Sequence, residues 1–211
     1  VNRARAFVAL VVLAAMAAGL LAALDRATKE RIAENEAQQL RLTLQAVLPP
    51  GSYDNEPRLD RISVQAADAL GSSAPLSVYR ARRGGEPAGL VLTAVAPDGY
   101  VDAIRLLIGI SAAGEVTGVR AVQHAETPGL GDGIDTARSD WILGFDSRPV
   151  PAADEVWNLR RDGGDFDQLT GATITSRAVL NAVRRALEYY RMNRNELYAL
   201  PPAVPEAADG D

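Results

Sequence analysis

The sequence predicts an α+β protein tethered by one apolar N-terminal helix, and three features carry that prediction. Residues 6–24, "AFVALVVLAAMAAGLLAAL", form a run of 19 without a charge. Residues 77–122 alternate β-rich runs with turn-forming clusters. The stretch from residue 176 to 193 places Val179, Val183, Ala186, Leu187 and Tyr190 on one face of a helix.

The apolar run comes first. At about 1.5 Å per residue it covers roughly 28 Å as a helix, close to the hydrocarbon thickness of a bilayer. Arg3 and Arg5 precede it and Asp25 opens the far side, which favours an N-terminus in the cytoplasm, although Arg26, Lys29 and Arg31 weaken the asymmetry. A cleaved signal peptide would share the arginines and small residues, but the run exceeds the usual apolar region and a helical pattern follows directly. Residues 1–24 are thus expected to be a transmembrane anchor. Residues 25–50 are expected to form a stalk helix, with Leu40, Leu44, Val47 and Leu48 as its apolar stripe and Pro49, Pro50 and Gly51 as its stop.

A domain over 51–200 follows. Its runs "VYRAR", "GLVLTAVA", "AIRLLIGI" and "VTGVRAV" are separated by "RGGEP", "PDGY" and "SAAGE", predicting an antiparallel sheet of at least four strands packed by helices. "HAETPGLGDGIDTARSDWILGF" reads as a glycine-rich loop leading to a short helix, and "VWNLRR" as a further strand. The tail 201–211, "PPAVPEAADGD", has too little apolar surface to pack and is expected to be disordered.

Composition narrows the chemistry. A net charge of −5 with no basic stripe argues against a nucleic-acid binder. With no cysteine and one histidine, thiolate clusters, iron–sulfur centres and Cys/His zinc sites are excluded, so redox chemistry would need an organic cofactor.

The segment "DQLTGATITSRAV" sets Thr170, Thr173, Thr175 and Ser176 around Gly171 and Ala172 at the entrance of the last helix. A helix N-terminus has unpaired N–H groups and a positive dipole end, so it favours phosphate, which the hydroxyls could bind or accept as an ester. Read on physics alone, Thr175 or Ser176 as a plain N-cap is the better account of the cluster, because capping hydroxyls are common. Elsewhere, "HAETPGLGD" is either a ligand loop or a tight turn with His124 as a structural hydrogen-bonding group. "RRDGGDFDQ" has calcium-like acidic spacing at Asp162, Asp165 and Asp167 but lacks the glutamate of an EF-hand loop, which favours a solvated turn.

"DQLTGATITS" resembles the flavinylation pattern Asp-x-x-(Ser/Thr)-Gly-Ala-(Ser/Thr)-x-(Ser/Thr) of FMN-binding domains. Together with "HAETPGLGD", "SDWI" and "RDGGDFDQ", it makes nearly the whole chain similar to the G subunit of the Rnf (Rsx) ion-translocating electron transport complex. The resemblance implies FMN joined through its phosphate to Thr173, with the bond made from FAD by a separate flavin transferase that uses a divalent metal and reads Asp167. It sets Glu126 and Thr127 beside the flavin. It also implies membrane partners, the other subunits of the complex, and a flavin domain on the periplasmic side of a bacterial inner membrane. "APDGYVDAI" departs from the family's usual Gly-Tyr-Ser/Thr-Gly at Val101 and Asp102. Two other readings stay open: the C subunit of the sodium-translocating NADH:quinone reductase, and an anchored binding or scaffold domain without redox function.

Overall fold

The computed structural model describes residues 3–153 and 155–202. Its first helix, α1 (Arg3–Val47), joins the apolar run and the charged stalk without a break. Contacts divide the chain into Val1–Leu42 and Thr43–Asp211. In the first unit Phe7, Leu10, Leu13, Met16, Leu20 and Leu21 are all exposed, so this part of α1 is apolar all round and has no protein core to bury it. Its length and composition suit a membrane span. It is the single helix among the described residues that is long and apolar enough to cross a membrane.

The second unit begins with the last turn of α1, where Leu44 and Val47 are buried, as is Leu48 just beyond it. The Thr117 hydroxyl donates to the Val47 carbonyl, one of those the helix end leaves without an intrahelical partner. Pro49 and Pro50 follow, and the chain turns into the domain.

Six antiparallel strands then pair in chain order: β1 (Arg61–Val64), β2 (Leu76–Arg83), β3 (Glu86–Ala96), β4 (Ile104–Ser111), β5 (Glu115–Gln123) and β6 (Arg148–Pro149). Four of them, β2 to β5, match the four runs read from the sequence. A short helix, α2 (Ala67–Leu70), links β1 to β2. Register aligns Leu90, Leu92, Ala94 and Ala96 with Ile110, Ile108, Leu106 and Ile104 on one face. All eight are fully buried. The final helix, α3 (Thr173–Ala199), lays Val179, Val183, Ala186, Leu187 and Tyr190 into the same core, as its sequence stripe predicts. It starts three residues earlier and ends six residues later than the periodicity suggested, 173 against 176 and 199 against 193.

Two local expectations are corrected. "VWNLRR" is not a strand: it makes one isolated bridge, Leu159 to Phe166, and then enters a 3-10 turn, Arg160–Asp162. The short helix after the glycine-rich loop is a pair of 3-10 turns, Gly131–Ile134 and Trp141–Phe145. The physical reason is burial without periodicity. Trp157, Phe166 and Phe145 stack on one another, with Phe145 and Phe166 ring centres 4.7 Å apart and the Arg148 guanidinium 4.3 Å from the Phe166 ring. An aromatic cluster therefore fixes this region where regular backbone pairing does not. The tail beyond Pro202 lies outside the described residues.

Candidate functional site

Three loops meet at the start of α3. They are the β3–β4 turn around Tyr100, the loop after β5 that carries "HAETPGLGD", and the "LTGAT" segment itself. Between them lies a pocket of about 390 Å³ lined by Tyr100, Glu126, Thr127, Leu130, Gly131 and the segment 171–175. That volume falls within the range of about 300–1,000 Å³ usual for cofactor sites. Tyr100, Leu130 and Ile174 expose 63%, 47% and 51% of their surface around it, an apolar rim that no part of the chain covers among the described residues.

Glu126 holds the walls together. It is 4% exposed; one carboxylate oxygen accepts from the Val101 backbone N–H at 3.2 Å and the other from the Thr175 hydroxyl. One buried side chain thereby ties the β3–β4 turn to the first turn of α3. Glycine makes room for it on two sides: a Cβ at Gly131 would stand 2.7 Å from one carboxylate oxygen, and a Cβ at Gly99 would stand 3.0 Å from the other and 1.9 Å from the Asp102 carbonyl. The departure at Val101 and Asp102 is thus a turn that delivers the Val101 N–H to Glu126. His124 sits behind this strut, its Nδ1 accepting from the Glu126 N–H at 3.2 Å and its Nε2 lying 3.1 Å from Asp135.

The hydroxyls divide into separate tasks. Ser176, fully buried, accepts from the Leu169 N–H at 2.9 Å and donates to the Ala172 carbonyl at 3.0 Å, so it folds the "LTGA" loop back onto the helix and does not line the pocket. Thr175 lines the pocket but commits its hydroxyl to Glu126. Neither is the N-cap. Ala172 holds that position and has no side chain to cap with. Thr170 is exposed and away from the lining. Thr173 is half-buried on the pocket wall, and its Oγ1 accepts from the Arg161 guanidinium at 3.2 Å. Gly171, with φ +79°, turns the chain into the helix under Leu130.

Two of the three carboxylates in the acidic run beside this segment pair with arginines. Asp162 pairs with Arg177 at 2.8 Å and Asp167 with Arg160 at 2.7 Å, while the Asp167 carbonyl accepts from the Trp141 indole. No cluster of metal-ligating side chains occurs among the described residues. Asp167 keeps 67% of its side chain exposed, in reach of another protein. Sequence reasoning missed Tyr100 as a wall and Arg161 as the partner of Thr173; an arginine 12 residues ahead of a hydroxyl carries no local signal.

The pocket at the entrance of the long helix lies in an FMN-binding domain: the family model "FMN-binding domain" matches residues 99–188, a span that contains every pocket residue. The chain is 46% identical over 193 residues to the G subunit of the ion-translocating oxidoreductase complex of Pseudomonas aeruginosa PAO1, covering 91% of this chain and 88% of that one. The same subunit of Shewanella baltica OS223 is 42% identical, covering 91% of each chain, and that of Vibrio cholerae O395 is 42% identical, covering 91% and 92%. The chain belongs to the family of G subunits of ion-translocating oxidoreductase complexes. Among solved structures, Shewanella oneidensis NqrC aligns at a TM-score of 0.47 and 20% identity, over 70% of this chain and 76% of that one.

Proposed function

We propose that this chain is a membrane-anchored electron-carrier subunit that holds FMN through a phosphoester on Thr173. The observation that carries the reading is the position of Thr173: within "DQLTGATITS", it presents a hydroxyl uncommitted to any backbone group on the wall of a pocket with an apolar rim. The residues fit such a group. Thr173 takes the phosphate, the uncapped N–H groups of the first turn stabilise its charge, and Gly171 and Ala172 keep side chains out of its way. Tyr100, Leu130 and Ile174 offer apolar surface to the ring, Thr127 a polar contact, and Glu126 with Thr175 ties the walls together. Ser176 shapes the loop that presents Thr173.

When bound, the flavin supplies one- and two-electron redox chemistry that no side chain of this cysteine-free protein offers. The chain itself binds, orients and shields. It needs no nucleophile or general acid for a substrate, and so acts as a carrier within its complex, between ferredoxin or NADH and another electron carrier. The other subunits and a flavin transferase that reads the exposed Asp167 are its partners. Arg3 and Arg5 on one side of the apolar run favour an N-terminus in the cytoplasm and hence a flavin domain in the periplasm, where a tether would prevent loss of FMN.

Protein co-expressed with a flavin transferase should fluoresce as flavin after denaturing electrophoresis. Thr173→Ala should abolish the band and Thr175→Ala should retain it; a fluorescent Thr173→Ala would move the acceptor elsewhere. A reporter fused after Asp211 should be active in the periplasm, and cytoplasmic activity would reverse the orientation.

A further inference from the structure

We infer that Arg161 positions the Thr173 hydroxyl for flavin transfer and then pairs with the phosphodiester that results, a reading that rests on Thr173 being the acceptor. Three consecutive residues of one 3-10 turn, Arg160–Asp162, carry the argument. The outer two fasten the turn: Arg160 to Asp167 at 2.7 Å, and Asp162 to Arg177 in the first turns of α3 through contacts of 2.8, 3.0 and 3.1 Å. The middle one, Arg161, is thereby directed to Thr173 Oγ1.

Charge balance singles out the same residue. Arg160 and Arg177 each face a carboxylate, whereas no ion pair to Arg161 occurs among the described residues. Among the described residues its guanidinium makes one hydrogen bond, to a neutral hydroxyl. A planar fork of five N–H donors is suited to two oxygens of a phosphate, so one hydroxyl leaves most of its capacity unused. The atom it touches is the one that would carry the phosphate.

The chemistry is consistent with that geometry. In transfer from FAD, supplied by the transferase, the Thr173 Oγ1–P bond forms at the phosphorus on the riboflavin side. The P–O bond of the pyrophosphate breaks, AMP leaves with the bridging oxygen, and the hydroxyl proton passes to a base of the transferase or to water. No electrons are transferred. Because Arg161 donates to Oγ1, the hydroxyl keeps its own proton free for removal, and the guanidinium stabilises the negative charge that grows on oxygen. The product keeps one negative charge on the diester, opposite a cation already in place.

The test uses the full-length chain in detergent with purified transferase, FAD and its divalent metal. Initial flavinylation rates are read by in-gel fluorescence, and the phosphorus-31 resonance is recorded on the flavinylated proteins, for wild type, R161Q, R161K and T173A. Loss of a charge-assisted hydrogen bond predicts an R161Q rate about tenfold lower. Its phosphorus resonance should be displaced, with R161K nearer to wild type in both readouts. A wild-type rate in R161Q overturns the inference. So does an unchanged phosphorus resonance in R161Q whatever its rate, since slow transfer alone would make Arg161 a contact for the transferase. Flavin on T173A would overturn the acceptor assignment instead, which keeps the two failures distinct.

Discussion

At its C-terminal end α3 gives its last carbonyls to arginines: Arg80, 1% exposed, donates to those of Leu197, Tyr198 and Leu200, and Arg82 donates to that of Tyr198. Asp60 accepts from both guanidiniums. At its N-terminal end Ala172 provides no side-chain cap, Ser176 is spent on the loop behind, and Thr173 opens onto a pocket. One end of the helix is sealed with a buried ion network and the other keeps its donors available. The difference teaches how a single element can be anchored at one end and left open at the other: buried hydrogen bonds and ion pairs gather at the C-terminal end, and uncapped N–H groups at the N-terminal end beside the pocket.

The largest expected effect is at the sealed end. Asp60→Ala leaves Arg80 charged and buried without its partner, which should cost about 3–5 kcal/mol. A melting curve of the full-length protein followed by near-ultraviolet circular dichroism would read this as a lowered midpoint, and an unchanged midpoint would show that the seal contributes nothing. Next is the strut of the open end. Glu126→Ala strands the Val101 N–H and the Thr175 hydroxyl, at about 1–3 kcal/mol. Compared below both melting points, Glu126→Ala should lower flavinylation more than Asp60→Ala does; the reverse order would break the division between scaffold and site.

A smaller effect follows loading with flavin. The diester at the uncapped end should add roughly 0.3–2 kcal/mol of local protection in hydrogen exchange over residues 171–179. Protection that also covers 124–133 would place that loop on the ring, and equal exchange in both forms would leave the phosphate in solvent. An effect confined to alkaline solution returns to the sealed end, where burial, reinforced by neighbouring Tyr190, pushes the Tyr198 phenol well above its ordinary value of about 10. The folded chain therefore keeps this proton at a pH where the unfolded chain has lost it. The contribution is intact below about pH 10 and is lost as pH rises further, so Tyr198→Phe should lose less stability than wild type between neutral and strongly alkaline solution. Parallel pH–stability curves would show the phenol to be irrelevant.

The same contrast runs through what could be read from the chain before it was folded. Strands β2 to β5 were legible because each is eight residues or longer and is bounded by glycine- and proline-containing turns. β1 and β6, of four and two residues, are too short to show a period. "VWNLRR" looked like a strand because its apolar residues are real core residues, but Trp157 and Leu159 are buried by aromatic stacking and a single bridge.

By itself the sequence determined the apolar anchor, the sheet-and-helix class, the apolar stripe of α3 and the "TGAT" segment at its entrance, since each depends on residues close together in the chain. Only the tertiary structure decided what Thr175 and Ser176 do. Either could have been the N-cap, yet Glu126, 49 residues from Thr175, claims one, and the Leu169 and Ala172 backbone claims the other. Arg161 and Tyr100 join the site for the same reason. A buried polar group must find its partner wherever the fold brings one within about 3 Å, and that distance is not written in sequence separation.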